Sequence, residues 1–459
     1  MITSPAFSGK RYAVLGLARS GGAVVESLLA SGAEVTAWDR QDVARAPFEG
    51  RCTLRDPLEI DLTGFAGVVV SPGVPLNTHP IAAHARQYGV RVIGDVELFA
   101  QARGHLLPHK VVGVTGTNGK STTVALVHHI LQMAGMRSVL GGNIGDPILA
   151  QEPLAPNEQG VGVYVLELSS YQIDLTYSLD CEAAALTNIT PDHLDRYDSF
   201  AAYAASKARL LAMQSADHLA VFGTTDEPCD AIFESERSRR EADRAVVAQM
   251  SSLAAMQREW PTLQGPHNLQ NVAVAVALVE ELGVTQAQWR HALPRFRNLP
   301  HRMEFVGDDD GVMYINDSKA TNTASTAPAL AAYPPGDNGA RVHWIVGGLA
   351  KEDGLGETAN QLDNVAAAYT VGEAGPRFAE LLEVRGVHTE RCELVSEAVR
   401  RAQGAAKSGD VILFSPACAS FDQFRDYEKR GEHFRQLVGV MADCGADGSL
   451  TVSPSGGSV

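Results

Sequence analysis

The chain has 459 residues, 45% of them hydrophobic and 20% charged, with a formal net charge of -16. That is a globular composition on a length suited to about three domains, so fibrous and disordered classes are excluded. The acidic balance, with no Lys/Arg run, argues against a nucleic-acid partner. The six cysteines are scattered without a CxxC pair, so neither a zinc knuckle nor a disulfide framework is expected and a reducing cytoplasm fits. The first residues lack a secretory pattern, and no apolar run approaches the roughly 18 residues that span a bilayer, so no membrane insertion is expected.

Short β-branched runs alternate with alanine-rich helical stretches along the chain, which predicts an α/β protein of three domains, each a mostly parallel doubly wound sheet. The first, residues 1–104, holds "RYAVLGL", the helix "GGAVVESLLASG", the strand "EVTAWD", and then "GVVVSPG" and "VRVIGDVELFA". The central domain, 105–299, opens on "KVVGVT" and a helix near 121–134, followed by strands "SVLGG", "VYVLELSS", "AAALTNI" and "HLAVFG". The charged stretch "ESERSRREADR" at 234–244 reads as an irregular solvated loop. "HNLQNVAVAVALVEELG" is a helix, and "RFRNLPHRMEF" marks the hinge into the third domain, 300–459, with strands in "VMYINDS", "RVHWIVGG", "AAAYTVG" and "DVILFSPA". The polar, glycine-rich tail 445–459 is expected to be disordered.

Two glycine-rich turns carry the chemistry. "TGTNGKST" at 115–122 joins a strand to a helix, and such a junction presents amide N–H groups and the positive helix end to an anion. Gly116 and Gly119 would let the backbone approach phosphate, Lys120 would reach the β- and γ-phosphates, and Ser121 would ligand Mg²⁺. The stretch departs from the strict P-loop pattern, since Val114 stands where the first glycine belongs. It still makes the central domain a P-loop-type ATPase. Glu167, at the end of an apolar strand, is placed to complete the metal's oxygen shell. His193 in "TNITPDHLDRY" is a candidate second ligand or a group that orients an incoming amine.

The earlier turn, "LGLARSGG" at 15–22, is followed by Asp39 about 20 residues on, as in a dinucleotide fingerprint. Ala18 replaces the middle glycine, which hinders the close approach of a pyrophosphate bridge, so this turn points to a nucleotide diphosphate without naming a redox cofactor.

Together "GLARSG", "SPGVP", "GVTGTNGKST", "GGNIG", "LELSS", "PDHLDRY", "GPHNLQN", "LPHRME", "NDSKATN" and "SPACASFDQFRDYEKRG" resemble the Mur ligases that build the peptide stem of peptidoglycan. The last two resemble the D-glutamate-adding members most. The resemblance implies that ATP phosphorylates the carboxylate of UDP-N-acetylmuramoyl-L-alanine and that the amine of D-glutamate attacks the acyl phosphate. It implies two Mg²⁺ ions, the first on Ser121 and Glu167 and the second shared by Glu167 and His193. It also implies that Lys207 is carbamylated; the residues alone read Lys207 as a solvated helix position.

By the same resemblance ATP meets Gly116, Thr117, Asn118, Gly119, Lys120, Ser121 and Thr122, with Asn268, Asn271, Arg302 and Asp317. D-Glutamate meets Lys319, Thr321, Lys351, Ser420 and Phe421. UDP lies over Arg19, Ser20 and Asp39, with Ser71, Gly73 and Asn143 nearer the diphosphate and sugar. Arg40 stands where the family often carries threonine. A monomer is expected. Three rivals stay open: a folylpolyglutamate synthetase, which lacks the uridine-type first domain; an NAD-dependent oxidoreductase, which leaves Lys120, Ser121 and Glu167 idle; and a nucleotide switch, which would turn over ATP without an amino acid.

Overall fold

The structure, a computed structural model, describes residues 1–192, 196–224, 226–336 and 338–444. His193 and the tail 445–459 lie outside the described residues. The chain divides into two compact units, Met1–Leu253 with Gln270–Leu293, and Ala254–Leu269 with Pro294–Val459.

The first unit carries two sheets. Strands β1 (Arg11–Leu15), β2 (Glu34–Trp38), β3 (Thr53–Leu54), β4 (Phe65–Val70) and β5 (Val92–Ile93) form one in the order β3-β2-β1-β4-β5. All its pairings are parallel. The run "VRVIGDVELFA" splits into the two-residue β5 and a helix, Asp95–Ala102, because Asp95 and Glu97 in the first turn favour the positive helix end. The second sheet is β6 (His109–Thr115), β7 (Ser138–Gly142), β8 (Gly162–Glu167), β9 (Ala183–Leu186), β10 (Leu219–Phe222) and β11 (Ala245–Val247), ordered β11-β10-β9-β6-β8-β7 and again parallel throughout. Strands β8, β9 and β10 are buried at every position, as expected of strands covered by helices on both faces. Glu97 ties the two sheets together: its carboxylate accepts from the amides of Tyr177 (2.7 Å) and Ser178 (2.9 Å) and from the Ser178 hydroxyl (2.8 Å).

The second unit holds β12 (Glu304–Asp309), β13 (Val312–Asn316), β14 (Val342–Gly347), β15 (Val365–Val371), β16 (Thr389–Glu393) and β17 (Val411–Phe414), ordered β12-β13-β17-β14-β15-β16. Only the β12–β13 hairpin is antiparallel. The doubly wound, mostly parallel expectation therefore holds for all three sheets. No described helix is long and apolar enough to cross a membrane.

The stretch expected to be a charged loop is instead mostly the helix Cys229–Arg239. Most of its charges are exposed, as expected, but two are buried and paired: Glu236 accepts from Arg239 (2.7 Å) and Arg240 (2.9 Å). The buried Arg240 also donates to the carbonyls of Leu211 (2.8 Å) and His218 (2.6 Å) and to the Gln214 side chain (2.9 Å). Removing one partner leaves a buried charge unmatched, so Arg240→Ala should destabilise the first unit by about 3 kcal/mol. Thermal denaturation checks this; an unshifted midpoint would show that the guanidinium is replaceable by water.

Candidate active site

The first unit gathers its polar side chains at the carboxyl ends of the parallel strands, where α/β sheets bind ligands. The turn after β6 feeds the helix Lys120–Met133, whose N-cap is Gly119 at φ 84 with no side chain capping the first amides. Gly116 and Gly119 have a protein reason as well as the phosphate reason read from sequence. A Cβ on Gly116 would lie 1.9 Å from Thr187 Oγ1, and one on Gly119 would lie 2.2 Å from Asn271 Oδ1. The amides of Thr117 and Asn118 are held by the backbone carbonyl (2.8 Å) and side chain (2.9 Å) of Asn188. The Lys120 ammonium lies over its own loop, donating to the carbonyls of Gly116 (2.9 Å) and Thr117 (2.7 Å). Thr122 is half-buried one residue beyond Ser121.

Glu167 is the centre of this edge and is 1% exposed. Its oxygens are met by two neutral donors, the Ser121 hydroxyl in a short hydrogen bond and the Asn143 amide at 2.8 Å. A buried carboxylate beside a hydroxyl is a hard oxygen donor set, so these residues fit a magnesium ion. Lys207 lies in the same cluster and is 2% exposed, against the solvated position expected of it. Its ammonium donates to the Gly116 carbonyl (2.7 Å) and sits 4.6 Å from the centre of the Tyr203 ring. Burial, followed by repulsion from Lys120, pushes its pKa down to about 7.

Two cavities open on the first sheet. One, of about 360 Å³, is lined by Arg19, Ser20, Ser71, Gly73 and Asn143 among others. The other, of about 430 Å³, is lined by Asp39, Arg40, Gln41, Gly73 and His79 among others. The structure thus brings all the expected UDP residues to two adjoining cavities that share Gly73. Asn143 faces both ways, lining the first cavity and bonding Glu167. Asp39 shapes the turn: its carboxylate accepts from the amides of Leu17 (2.7 Å) and Gln41 (2.9 Å).

In the second unit Asp317 is buried and accepts from the Ser415 hydroxyl (2.7 Å) and the Met303 amide (3.1 Å). Burial pushes its pKa up to about 7. Arg302 lies between two residues of left-handed backbone, His301 at φ 64 and Met303 at φ 45. The amide of buried Asn268 donates to the Gln264 carbonyl (3.0 Å). Lys351 reaches the Thr321 hydroxyl (3.1 Å), and Lys319 lies 5.0 Å from the centre of the Tyr427 ring. Ser420 is buried, whereas Phe421 is 70% exposed.

Residues 114–279 match the Mur ligase middle domain and 301–418 the Mur ligase glutamate ligase domain. The chain is 62% identical to a UDP-N-acetylmuramoylalanine–D-glutamate ligase of Novosphingobium aromaticivorans over 96% of its own length and 97% of the relative's. It is 55% identical to the enzyme of that name from Sphingopyxis alaskensis, over 96% and 100% of the two chains. In fold it is similar to a UDP-N-acetylmuramate–alanine ligase of Thermotoga maritima, with a TM-score of 0.54 at 16% identity over 94% and 99% of the chains. The chain belongs to the Mur ligase family.

For a Mur ligase, the residue that the pattern of residues missed is Lys207, although a signal existed. Tyr203, Leu210 and Leu211 stand four, three and four residues from Lys207 on the helix Phe200–Ala212, which places the lysine inside an apolar stripe. Asn271 also has a role that spacing could not show, since it fills the space a side chain at 119 would need. Gly119→Ala adds a left-handed backbone cost of about 1–2 kcal/mol to that collision. A lowered thermal midpoint with weakened binding of a fluorescent ATP analogue is expected; wild-type values for both would remove the close approach as a constraint.

Proposed function

We infer that this chain joins D-glutamate to UDP-N-acetylmuramoyl-L-alanine in peptidoglycan precursor synthesis, driven by conversion of ATP to ADP and phosphate. The observation that carries the reading is the meeting, around Glu167, of a P-loop-type turn with a cavity built on the first sheet. The names and high identity of the relatives support the D-glutamate specificity.

In this reading Arg19, Ser20, Ser71, Gly73 and Asn143 hold the diphosphate and sugar, and Asp39 and Arg40 flank the uridine. The acid's free carboxylate oxygen attacks the γ-phosphorus of ATP, and the bond to the bridging oxygen of ADP breaks. The amine of D-glutamate then attacks the acyl carbon, phosphate leaves, and the nitrogen sheds a proton. Phosphoryl transfer asks the protein mainly for alignment and charge stabilisation. Lys120 swings from its own loop carbonyls to the β- and γ-phosphates, while the uncapped amides at the start of its helix meet the same charge. Asn268, Asn271, Arg302 and Asp317 carry the remaining ATP contacts. Lys319, Thr321, Lys351, Ser420 and Phe421 meet D-glutamate, the lysines pairing with its carboxylates.

Two Mg²⁺ ions on Ser121, Glu167, His193 and carbamylated Lys207 would neutralise phosphate charge and act as Lewis acids. The low pKa of Lys207 supports the modification, because only the neutral amine attacks CO₂. Losing two protons, one to expose the amine and one as the N–C bond to CO₂ forms, turns a cation that repels Lys120 into an anionic oxygen donor. The described cysteines, Cys52, Cys181, Cys229, Cys392 and Cys418, are free, which supports a cytoplasmic setting.

Phosphate release should require ATP, the UDP-sugar acid and D-glutamate together; L-glutamate, L-alanine or a diamino acid should not replace it. Release with L-alanine, or with no amino acid at all, would overturn the reading. Lys120→Ala should lower kcat about 10²–10³-fold. For Lys207, ¹³C-bicarbonate should give a carbamate NMR signal that is strong at pH 8, where the amine is mostly neutral. The signal should weaken at pH 6, where the amine is mostly protonated, and be lost in Lys207→Ala. A signal absent at both pH values would remove the carbamate.

A further inference from the structure

Arg430 lies in the first turn of the long helix Tyr427–Cys444 and is 2% exposed. None of the roles above uses it. A buried guanidinium is costly unless its donors are satisfied, and here they are spent on loops rather than on a carboxylate. Nε donates to the Ser318 hydroxyl (3.0 Å) and Nη2 to the Ser318 carbonyl (2.7 Å). Nη1 donates to the Cys418 carbonyl (3.0 Å). Gly348 passes so close that a Cβ there would lie 3.1 Å from Nη1 and 2.5 Å from the Ala419 carbonyl oxygen.

The three backbones meeting this one side chain are the turns after β13, β14 and β17. They carry Lys319 and Thr321, Lys351, and Ser420 and Phe421 respectively. The last two turns are further joined by paired Leu349 and Ala419 amides and carbonyls, 2.9 Å each way. The fork shape of the guanidinium matters, because a lysine ammonium is a point charge that cannot span Ser318 and Cys418 with fixed geometry.

We propose that Arg430 is a positioning residue for the amino-acid pocket: it touches no substrate but fixes the spacing of the three turns, and so sets the affinity for D-glutamate. This rests on the D-glutamate role given above to Lys319, Lys351 and Ser420. Misplacement of binding groups by a fraction of an ångström to an ångström costs about tenfold to a hundredfold.

The test compares Arg430→Lys, Ser318→Ala and Lys319→Ala in steady-state kinetics, with thermal midpoints measured alongside. Arg430→Lys keeps the charge and loses the fork, and KM for D-glutamate is expected to rise at least about tenfold, with KM for ATP and for the UDP-sugar acid within about twofold. Ser318→Ala removes one bond to the fork and should raise the same constant about threefold. A merely structural arginine would instead lower active enzyme without that selectivity. If Lys319→Ala raises KM for D-glutamate while Arg430→Lys leaves it unchanged, the proposal is overturned and the pocket stands. If Lys319→Ala has no effect, the pocket assignment itself falls. Should Arg430→Lys fail to fold, Ser318→Ala decides: an unchanged KM for D-glutamate with wild-type stability overturns the proposal.

Discussion

A single buried carboxylate organises the first unit. Glu167 ends β8 among apolar side chains, where an ionised acid is tolerated only if its oxygens are met. Ser121 meets one and Asn143 the other. The Glu167 carbonyl also accepts from the Asn143 amide (2.8 Å), and Gly142 has no side chain because a Cβ there would lie 2.1 Å from that carbonyl oxygen. Loops from three strands are thereby fixed about one group. One of them leads into the glycine-rich turn 115–122 and another into the cavity over the first sheet. The placement of that cavity beside that turn thus follows from how an acid is kept stable inside a sheet.

Much of this was legible from residue pattern because it follows from chain-local rules. Parallel strands buried on both faces read as continuous apolar runs, and the strand-turn-helix junctions at 15–22 and 115–122 announced themselves by glycine at the turns. Glu167 was recognisable because a charge at the end of such a run needs a reason. What escaped was decided by distant partners. The helix Cys229–Arg239 looked like a solvated loop because its charges were counted one by one; Glu236 and Arg240, four apart, are a helical pair whose other bonds go to Leu211, Gln214 and His218. Lys207 was misread for the same reason, since the carbonyl and the aromatic ring that receive it come from outside its own helix or a turn away within it.

The second unit solves a similar problem with the opposite charge. Its turns after β13 and β14 each carry a lysine, Lys319 and Lys351, the second bonded to the Thr321 hydroxyl of the first turn. Arg430 adds a further cation yet holds the turns by donating to neutral carbonyls and a hydroxyl. Burial draws its pKa down to about 10, which leaves it charged at neutral pH. Asp317 is drawn up to about 7 by the same burial, tempered by the Ser415 hydroxyl.

The two glycine-rich turns differ in how much of their backbone the protein keeps for itself. In the first, a Cβ on Gly21 would lie 1.8 Å from the Gly16 carbonyl oxygen, so that glycine serves the packing of helix on strand. Asp39 spends its two oxygens on the amides of Leu17 and Gln41, whereas a dinucleotide enzyme turns the matching acid toward a ribose. The first turn is therefore a shaped rim around open cavities, suited to a bulky handle held at several points. In the second turn the amides of Thr117 and Asn118 are committed, but the helix start at Gly119 carries no side-chain cap and has Lys120 beside it. Concentrated positive charge of that kind matches terminal phosphates, where charge is densest. A redox cofactor on the first turn would make no use of this second concentration of positive charge.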